Sequence, residues 1–510
     1  MLASILSGAV VGIEMIPVEV EVDLGRGMMI FSTVGLPSSE VSEAKTRVKS
    51  ALVNSELDFP QRRVIVNLAP AHIKKEGTAY DLPIALGILV ANEQLPTDAF
   101  DQTLVVGELS LDGRLRGIRG ALSLAVWARK NGIKQVLVPE ENGSEIAMVS
   151  GVSIWIARDL REVISVVRGE ADKRAPNPRA LSSSLENYPL DLKDVQGQDV
   201  ARRALEIASA GGHNLLMLGP PGSGKTMLAR RFPSISPPMS FEEQLEVSMI
   251  ASVSGYVRPD RALIQERPFR APHHTLSQVA LAGGGPRCRP GEVSLAHHGV
   301  LFLDELPEFK RAALEVLRQP LEDGEIIISR AAHTLTYPAQ FSLIAAMNPC
   351  PCGYFGATKR VCQCSPQMRL AYLNRISGPL LDRIDLQVNV SAVDPHDLRR
   401  HQRGEDSQTV RARVCAARSK QQARLGENEG NCNAQMTPQA LRKYCVLDDA
   451  TEALLLRAID TLGLSARAHD RVLKVARTIA DLSDSERIEV HHLAEATQYR
   501  QLDRLWSEAA

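Results

Sequence analysis

The sequence predicts an α/β fold built around a phosphate-binding loop. Residues 214–226, NLLMLGPPGSGKT, combine an apolar strand at Leu215–Leu218 with a glycine-rich turn and a following helix. A second apolar segment, residues 299–305, ends in two acidic side chains, and a third, residues 341–347, is followed by an asparagine. A strand that delivers acids at its C-terminal edge is the partner that a phosphate loop needs, so the segments together predict a nucleotide site.

The glycine-rich turn fits the pattern G-x-x-x-x-G-K-S/T. Small residues let successive backbone N–H groups curl around a polyphosphate, and the N-terminus of the next helix adds its positive dipole end. Lys225 is expected to reach the β- and γ-phosphates, and Thr226 is expected to hold magnesium. The predicted nucleotide-binding residues are Gly219, Pro220, Pro221, Gly222, Ser223, Gly224, Lys225 and Thr226.

The polar ends of the other two strands supply the predicted chemistry. Asp304 can hold magnesium through water, and Glu305 can polarise the attacking water. An amide at Asn348 can orient that water. The phosphate loop upstream disfavours the alternative, which is an ordinary buried strand followed by surface acids. The expected cofactors are therefore ATP and Mg²⁺.

Length and composition limit the other possibilities. A chain of 510 residues allows three or so domains, and its formal net charge of −1 gives no global attraction to nucleic acid, so local patches must carry any such binding. No run of about 18 apolar residues occurs, and the start lacks a basic segment, which predicts a cytoplasmic protein without a membrane span. The eight cysteines are then thiols or metal ligands.

Periodicity and composition divide the chain into four parts. Residues 1–168 predict an α/β domain, and residues 169–190, rich in proline, serine and charge, predict a linker. Residues 191–395 contain the phosphate loop and form the predicted ATPase core. Residues 396–510 are expected to form a helical C-terminal lid.

The order of elements in residues 1–168 resembles the Lon-type protease domain, which also occurs in some bacterial DNA-repair ATPases. Ala79 stands where that family has its serine nucleophile, and Leu122 stands near its lysine base. Without a hydroxyl and an amine to activate it, a Ser–Lys mechanism cannot run, so we expect a structural or DNA-contacting platform and not a protease. Lys74 and Lys75 are candidates for phosphate contact, although a solvated loop is the simpler interpretation.

Two arginines and the asparagine resemble parts of AAA+ ATPases. Arg383, within GPLLDRID, resembles an arginine finger acting on a neighbour's γ-phosphate, Arg467 opens a basic helix where a second sensor is expected, and Asn348 resembles the first sensor. The order of phosphate loop, acidic strand, hairpin, asparagine strand and late arginine resembles the AAA+ branch that contains the MCM helicases and the magnesium-chelatase ATPase subunit.

Longer segments resemble one family within that branch. RPFRAPHHTLSQVALAGGG, RPGEVSLAHHGVLFLDELPEF and MNPCPCGY look like the ComM/YifB family of Mg-chelatase-like proteins, and the resemblance extends over essentially the whole chain. It implies a hexameric ring ATPase that binds single-stranded and branched double-stranded DNA. The implied activity is a helicase that drives branch migration during homologous recombination and the integration of transforming DNA.

Two insertions are candidates for gripping DNA. Residues 325–337 predict a hairpin with Arg330 and His333 near its tip, the alternative being an exposed turn. Residues 277–290 carry three glycines, Arg287 and Arg289, and are expected to form a second pore loop. The basic helical stretch 409–426 is as consistent with a solvated face as with contact to DNA or a neighbouring subunit.

Four cysteines and two histidine pairs are candidates for metal binding. Cys350, Cys352, Cys362 and Cys364 form a C-x-C, nine-residue gap, C-x-C array, which favours structural zinc over unbound thiols or an iron–sulfur cluster. The pairs at residues 273–274 and 297–298 lack obvious carboxylate partners, so structural or phosphate roles are expected for them.

Two other functions share parts of the pattern. A metal-chelatase accessory ATPase that remodels a protein partner has the same core, but the Lon-like domain and the cysteine array are not expected there. An ATP-dependent protease is disfavoured by Ala79 and Leu122.

Overall fold

The structure is a computed structural model that describes residues 2–177, 188–256, 263–285, 288–329, 334–356, 360–391, 404–426, 430–462 and 465–500. The chain separates into two compact units. The first unit comprises Met1–Ser182 together with Gln244–Ile264, and the second comprises Ser183–Glu243 together with Gln265–Ala510. Among the described residues, no helix is both long and apolar enough to cross a bilayer.

The first unit is built from three small sheets and the helices that cover them. A four-stranded sheet has the order β1–β2–β4–β3, a three-stranded parallel sheet has the order β5–β8–β9, and β6 pairs with β7. The strands are β1 (Leu2–Val11), β2 (Glu14–Gly25), β3 (Phe31–Val34), β4 (Arg63–Ala69), β5 (Thr103–Val105), β6 (Glu108–Leu109), β7 (Leu115–Arg116), β8 (Gln135–Pro139) and β9 (Ser153–Ala157). The helices are α1 (Ser39–Ser42), α2 (Ala44–Asn54), α3 (Asp81–Ala91), α4 (Ala121–Lys130), α5 (Gly143–Ile146) and α6 (Leu160–Val167).

Alternating apolar residues create the core of this unit. Val18, Val20 and Val22 point to one face of β2 and are fully buried. Helix α3 packs against β1 and β2, and all of its residues are buried, which explains its uniformly apolar sequence. The helix begins at Asp81, and the two residues 77 and 78 shortly before it are held by the side chains of Glu40 and Glu108.

The predicted linker begins with residues that still pair with this unit. The backbone N–H of Ile156 in β9 donates to the carbonyl of Arg174 at 2.9 Å. The middle of the predicted linker, residues 178–187, lies outside the described part of the chain. The first unit therefore holds the chain as far as Arg174, which lies beyond the predicted domain boundary at residue 168.

A five-stranded parallel sheet forms the centre of the second unit, with the order β11–β14–β17–β10–β18. Its strands are β10 (Leu215–Leu218), β11 (Phe269–Arg270), β14 (Val300–Leu303), β17 (Ser342–Met347) and β18 (Leu386–Asn389). The asparagine-bearing strand β17 thus lies between the phosphate-loop strand β10 and the acidic strand β14. All four residues of β10 and of β14 are buried, as expected for strands covered on both faces.

Helices and two small hairpins complete the second unit. The hairpin strands are β12 (Gly283–Gly284) with β13 (Arg289–Pro290), and β15 (Glu325–Ser329) with β16 (Thr334–Pro338). The helices up to β18 are α7 (Asp199–Gly211), α8 (Lys225–Ile235), α9 (Phe241–Ser254), which continues into the first unit, α10 (Gln278–Ala282), α11 (Glu292–Leu295), α12 (Arg311–Val316), α13 (Arg318–Asp323), α14 (Pro366–Leu373) and α15 (Gly378–Leu381). Among the described residues after β18, the helices are α16 (Ser407–Leu425), α17 (Pro438–Tyr444), α18 (Asp449–Leu462), α19 (Ala466–Leu482) and α20 (Val490–Gln498).

The basic helix α16 has an internal role that the sequence did not predict. Its basic residues bond within the second unit: Arg411 to the carbonyl of Ser236, Arg413 to Glu206 and Glu405, Arg418 to the carbonyls of Ser209 and Ala210, Lys420 to Asp484, and Arg424 to Asp481. These bonds fasten the C-terminal helices to the core, while Arg413 and Lys420 stay about 40 % exposed.

The strongest of these attachments surrounds Asp481, whose side chain is 1 % exposed. It accepts hydrogen bonds from Arg424 at 2.6 Å, from Arg477 at 2.9 Å and from Asn433 at 2.8 Å. Replacing Asp481 with alanine leaves two largely buried guanidinium groups without their carboxylate. We expect Asp481→Ala to lower the free energy of unfolding by about 3–5 kcal/mol in urea unfolding followed by circular dichroism.

Asp484 supplies the matched control for this prediction. It pairs with Lys420 of the same helix, but its side chain is 88 % exposed. Asp484→Asn, which removes the charge and keeps a side chain suited to the φ of 59° at this position, should therefore leave the urea midpoint unchanged. Equal midpoints for the two variants would contradict the structural role given to Asp481.

Candidate functional site

The phosphate loop leaves the sheet at the carboxyl end of β10, between β17 and β18. The N–H of Gly219 donates to the carbonyl of Met347 at 3.2 Å, and the N–H of Val390 donates to the carbonyl of Leu218 at 2.7 Å. A Cβ atom at Gly219 would lie 2.1 Å from the carbonyl oxygen of Val390. Glycine is therefore required at this position by the close approach of two backbones.

The turn itself uses left-handed backbone conformations. Gly222 has a φ of 76° and Gly224 a φ of 94°, values that favour glycine. Helix α8 begins at Lys225, directly after the second of these residues. Consecutive N–H groups next to a helix N-terminus provide the anion-binding concavity that the sequence predicted.

Lys225 lies at the centre of the polar groups. Its ammonium donates to the carbonyls of Gly219 at 2.7 Å and Pro220 at 2.9 Å, and lies 3.4 Å from the side-chain oxygen of Asn348. Burial lowers the pKa of Lys225, and the negative charges of Asp304 and Glu305 oppose that shift. The structure thus brings together the lysine, the asparagine and the acidic pair that the sequence placed at one site.

The acidic pair is held in two different ways. The hydroxyl of Thr226 donates to a carboxylate oxygen of Asp304 at 2.7 Å, so the two predicted magnesium ligands are in contact. The N–H of Glu305 donates to the other oxygen of Asp304 at 3.0 Å. Glu305 has a φ of 54°, a conformation that is costly for a residue with a Cβ atom and that aims its carboxylate away from the strand.

A histidine reaches Glu305 from an earlier part of the chain. The Nδ1 atom of His274 lies 3.4 Å from a carboxylate oxygen of Glu305. His298 lies 3.5 Å from Glu243, and Nδ1 of its neighbour His297 accepts from the N–H of Gln340. The expectation that these pairs lack carboxylate partners was wrong, because the partners are distant in sequence and no local pattern reveals them.

Gln198 connects the start of the core to the phosphate loop. Its side-chain amide donates to the carbonyl of Ser223 at 3.3 Å and to the carbonyl of Ser391 at 2.5 Å. The residue has a φ of 60° and precedes helix α7. The side chain of Gln198 therefore links the phosphate loop to the segment that follows β18.

Two arginines expected at the nucleotide lie elsewhere in the chain. Arg383 and Arg467 line a cavity of about 580 Å³ together with Arg471, Glu322 and Asp385; we call it the arginine cavity. The carbonyl of Arg383 accepts from the side chain of Asn214, which precedes β10, whereas the phosphate loop follows β10. About 13 Å of strand therefore separates the cavity from the loop of the same chain.

Two carboxylates hold the arginines of this cavity. The guanidinium of Arg383, whose side chain is 7 % exposed, donates to Glu322 and, at 2.7 Å, to the carbonyl of Pro379. Arg471 pairs with the buried Asp385 at 2.6 Å. Burial alone would raise the pKa of Asp385, but Arg471 and His213 hold it well below its usual range.

The four-cysteine cluster, Cys350, Cys352, Cys362 and Cys364, follows directly on Asn348. All four sulfur atoms lie within 4.8 Å of one another, and the closest pair is 3.3 Å apart. Four thiolates around one zinc ion stand about 3.8 Å apart, given a Zn–S distance of about 2.3 Å, so the donor set fits a tetrahedral ion. The turn after Cys352 packs on the phosphate loop, because a Cβ atom at Gly353 would lie 2.6 Å from the ring of Pro221.

The two predicted DNA-gripping insertions pack against each other. The hydroxyl of Tyr337 in β16 donates to the carbonyl of Cys288 at 2.8 Å, and Gly283 lies against Ile328 of β15. Arg289 is exposed on β13. Arg287, Arg330 and His333 lie outside the described residues, so only the arms of the hairpin and the flanks of the second loop are placed.

The positions corresponding to the Lon-type dyad are part of the framework of the first unit. The carbonyl of Ala79 accepts from the N–H of Gly107 at 2.9 Å, and Leu122 is fully buried in α4. Lys75 is also fully buried and donates to the carbonyl of Pro70, so the solvated loop expected there was wrong for this lysine. Lys74 is half-exposed and pairs with Glu76 at 2.7 Å.

Family models cover most of the chain. "Magnesium chelatase, subunit ChlI" matches residues 191–398, "Subunit ChlI of Mg-chelatase" matches residues 20–142, and "Magnesium chelatase, subunit ChlI C-terminal" matches residues 404–500. The fold and site therefore define an AAA+ ATPase of the magnesium-chelatase type, which uses ATP and Mg²⁺.

Full-length relatives specify the family further. The chain is 44 % identical over 511 residues to Competence protein ComM of Haemophilus influenzae, covering 99 % of this chain and 98 % of the relative. It is also 44 % identical over 505 residues to YifB of Salmonella typhimurium, covering 99 % and 98 %. The chain belongs to the ComM/YifB family of Mg-chelatase-like proteins.

A shorter match supports the Lon resemblance. Lon protease 2 of Bacillus subtilis is 30 % identical over 158 residues, which is 29 % of this chain and 28 % of that protein. The similarity is therefore partial, and it accompanies a mixed α/β fold that has alanine and leucine at residues 79 and 122.

Proposed function

We propose that this protein is a DNA motor: a ring of identical subunits, six by family resemblance, that hydrolyses ATP to drive branch migration of DNA junctions. Its substrates are single-stranded and branched double-stranded DNA. The activity serves homologous recombination and the integration of transforming DNA, in keeping with the similarity over 98 % of the length of a competence protein.

The separation of the arginines from the phosphate loop carries this proposal. Lys225, Thr226 and Asp304 bind ATP and magnesium, Glu305 polarises water, and Asn348 orients it. Arg383 and Arg467 lie beyond the other end of β10, out of reach of that nucleotide. A neighbouring subunit placed head to tail supplies them in the proposed ring, as heterologous interfaces allow.

The packed insertions give this ring a means of moving DNA. The arms of the β15–β16 hairpin expose alternate side chains and bury Ile326 and Ile328, so the hairpin rests on its unit as a defined element. Arg289 beside it, and the arginines and histidine outside the described residues, are proposed to contact phosphates. Backbone contacts of this kind make binding strongly salt-dependent.

Zinc is the proposed ion at the four-cysteine cluster. Sulfur separations of 3.3 and 3.6 Å suit a single tetrahedral ion, whereas a cluster of several metal atoms would hold the thiolates farther apart. Such an ion would close the turn that packs on Pro221 and would steady Asn348, two residues before the first ligand.

The rival function, an accessory ATPase that remodels a protein partner for metal insertion, has less support. The Magnesium-chelatase 67 kDa subunit of Chlorobaculum parvum is 29 % identical over only 160 residues, 31 % of this chain and 23 % of that protein. The ComM relative matches throughout. The full-length match to the competence protein therefore favours the DNA motor.

Junction movement tests the proposed function. With ATP, Mg²⁺ and a synthetic four-stranded junction, the wild-type chain should convert the junction to its product duplexes in a gel assay. Glu305→Gln should still bind ATP but lose turnover by about 10²-fold or more, because the water loses its base. Glu308→Gln is the control. Glu308 follows Glu305 by three residues, and its carboxylate pairs with Arg375 outside the proposed site.

If DNA junctions stay intact after incubation with wild-type protein that hydrolyses ATP, the proposed motor function is contradicted. Movement by Glu305→Gln at the rate of Glu308→Gln would contradict it as well. Release of a remodelled protein partner, with junctions untouched, would favour the rival function.

Metal content tests the cluster independently of activity. Protein purified without chelator should carry about one zinc ion per chain by elemental analysis. Cys352→Ala and Cys362→Ala should lose it, because three thiolates do not close the site, whereas Cys415→Ala on helix α16 should retain it. Iron in place of zinc, or no metal in any variant, would contradict the assignment.

A further inference from the structure

The carboxylate of Glu322 occupies an unusual position in the arginine cavity. Glu322 lies near the end of α13, and its side chain is 54 % exposed, yet it is the acid that holds the buried guanidinium of Arg383. Because Arg383 is buried and donates a hydrogen bond to the carbonyl of Pro379, its guanidinium has little freedom to move away from Glu322.

Glu322 is the carboxylate that bonds Arg383 in a cavity with charges of both signs. The hydrogen bond from Arg383 lowers the pKa of Glu322 most, burial opposes it, and the charges of Arg383, Arg467 and Arg471 lower the pKa further. The cavity is lined by these three arginines and, besides Glu322, by the four aspartates Asp323, Asp382, Asp385 and Asp470. Phosphate oxygens are the other anionic partner that such a group of guanidinium ions recognises.

We propose that Glu322 is a positioning residue that holds Arg383 in place of a neighbouring subunit's terminal phosphate, and that the arriving nucleotide displaces it. This inference rests on the proposed shared site. In the single chain the carboxylate pairs with Arg383 and keeps its guanidinium beside the carbonyl of Pro379. When a neighbour presents its ATP, phosphate and carboxylate compete for the same guanidinium groups.

The position of Glu322 in the chain couples that exchange to the β15–β16 hairpin. Helix α13 ends at Asp323, and β15 of the hairpin begins at Glu325. The N–H of Gly324 donates to the carbonyl of Pro320, and the carbonyl of Gly324 accepts from the N–H of Ala339 beyond β16. Displacing Glu322 therefore moves the segment from which both arms of the hairpin emerge.

Steady-state ATP turnover without DNA tests the role of Glu322. In full-length assembled protein, Glu322→Gln should lower the half-saturating ATP concentration by about fivefold or more, since phosphate no longer competes with a carboxylate. Asp323→Asn is the matched control: it neutralises the adjacent acid, for which no bond to Arg383 is recorded among the described residues, and it should behave as wild type.

A double variant separates this role from a merely structural one. In an Arg383→Ala background, Glu322→Gln should change the half-saturating concentration no further, because the group it competes for is gone. Equal effects in both backgrounds, or identical values for Glu322→Gln and Asp323→Asn, would overturn the proposal.

Two outcomes distinguish this inference from the function on which it rests. The assay contains no DNA, so a chain that turns over ATP but leaves junctions unmoved would overturn the DNA role while the comparison still decides for or against Glu322. Wild-type turnover per chain that stays unchanged when dilution dissociates the assembly to single chains would overturn the shared site and the role of Glu322 together.

Discussion

Four residues of buried strand separate the phosphate loop from the arginine cavity in this protein. Strand β10 has the phosphate loop at its carboxyl end and Asn214, which anchors the carbonyl of Arg383, at its amino end. Because a parallel strand advances about 3.3 Å per residue, no side-chain movement brings Arg383 to Lys225 of the same chain. Everything proposed about assembly follows from this fixed spacing.

Backbone continuity links the site to the elements around it. Strand β17 carries Asn348 and continues directly into the four-cysteine cluster, whose turn packs on Pro221 of the phosphate loop. On the other side, α13 joins the arginine cavity to the hairpin through the single residue Gly324. The phosphate loop and the arginine cavity thus have short covalent and packing connections to the four-cysteine cluster and to the hairpin.

Local patterns in the sequence predicted the catalytic half of the site. Apolar strands followed by polar residues located Lys225, Asp304, Glu305 and Asn348, because a strand end, a glycine turn and a helix start are set by neighbouring residues. The hairpin, the helix opened by Arg467 and the cysteine cluster were predictable for the same reason.

Contacts between distant segments could not be predicted in this way. The partner of Glu305 is His274, 31 residues earlier in the chain, and charges of α16 are paired with carbonyls and carboxylates of other helices. The burial of Lys75 depends on the carbonyl of Pro70 and on tertiary packing. A charged residue in a sequence predicts an exposed side chain. That prediction fails where the fold buries the residue beside a partner from a distant segment.

Mixing two inactive variants tests the shared site most directly. Glu305→Gln subunits keep Arg383, and Arg383→Ala subunits keep Glu305, so an interface between them can contain both residues only if they come from different chains. Random co-assembly at equal amounts should restore ATP turnover to about a quarter of the wild-type rate, the fraction of complete interfaces in a head-to-tail ring. No recovery in verified mixed assemblies, or full activity of Arg383→Ala alone, would contradict a site shared between subunits.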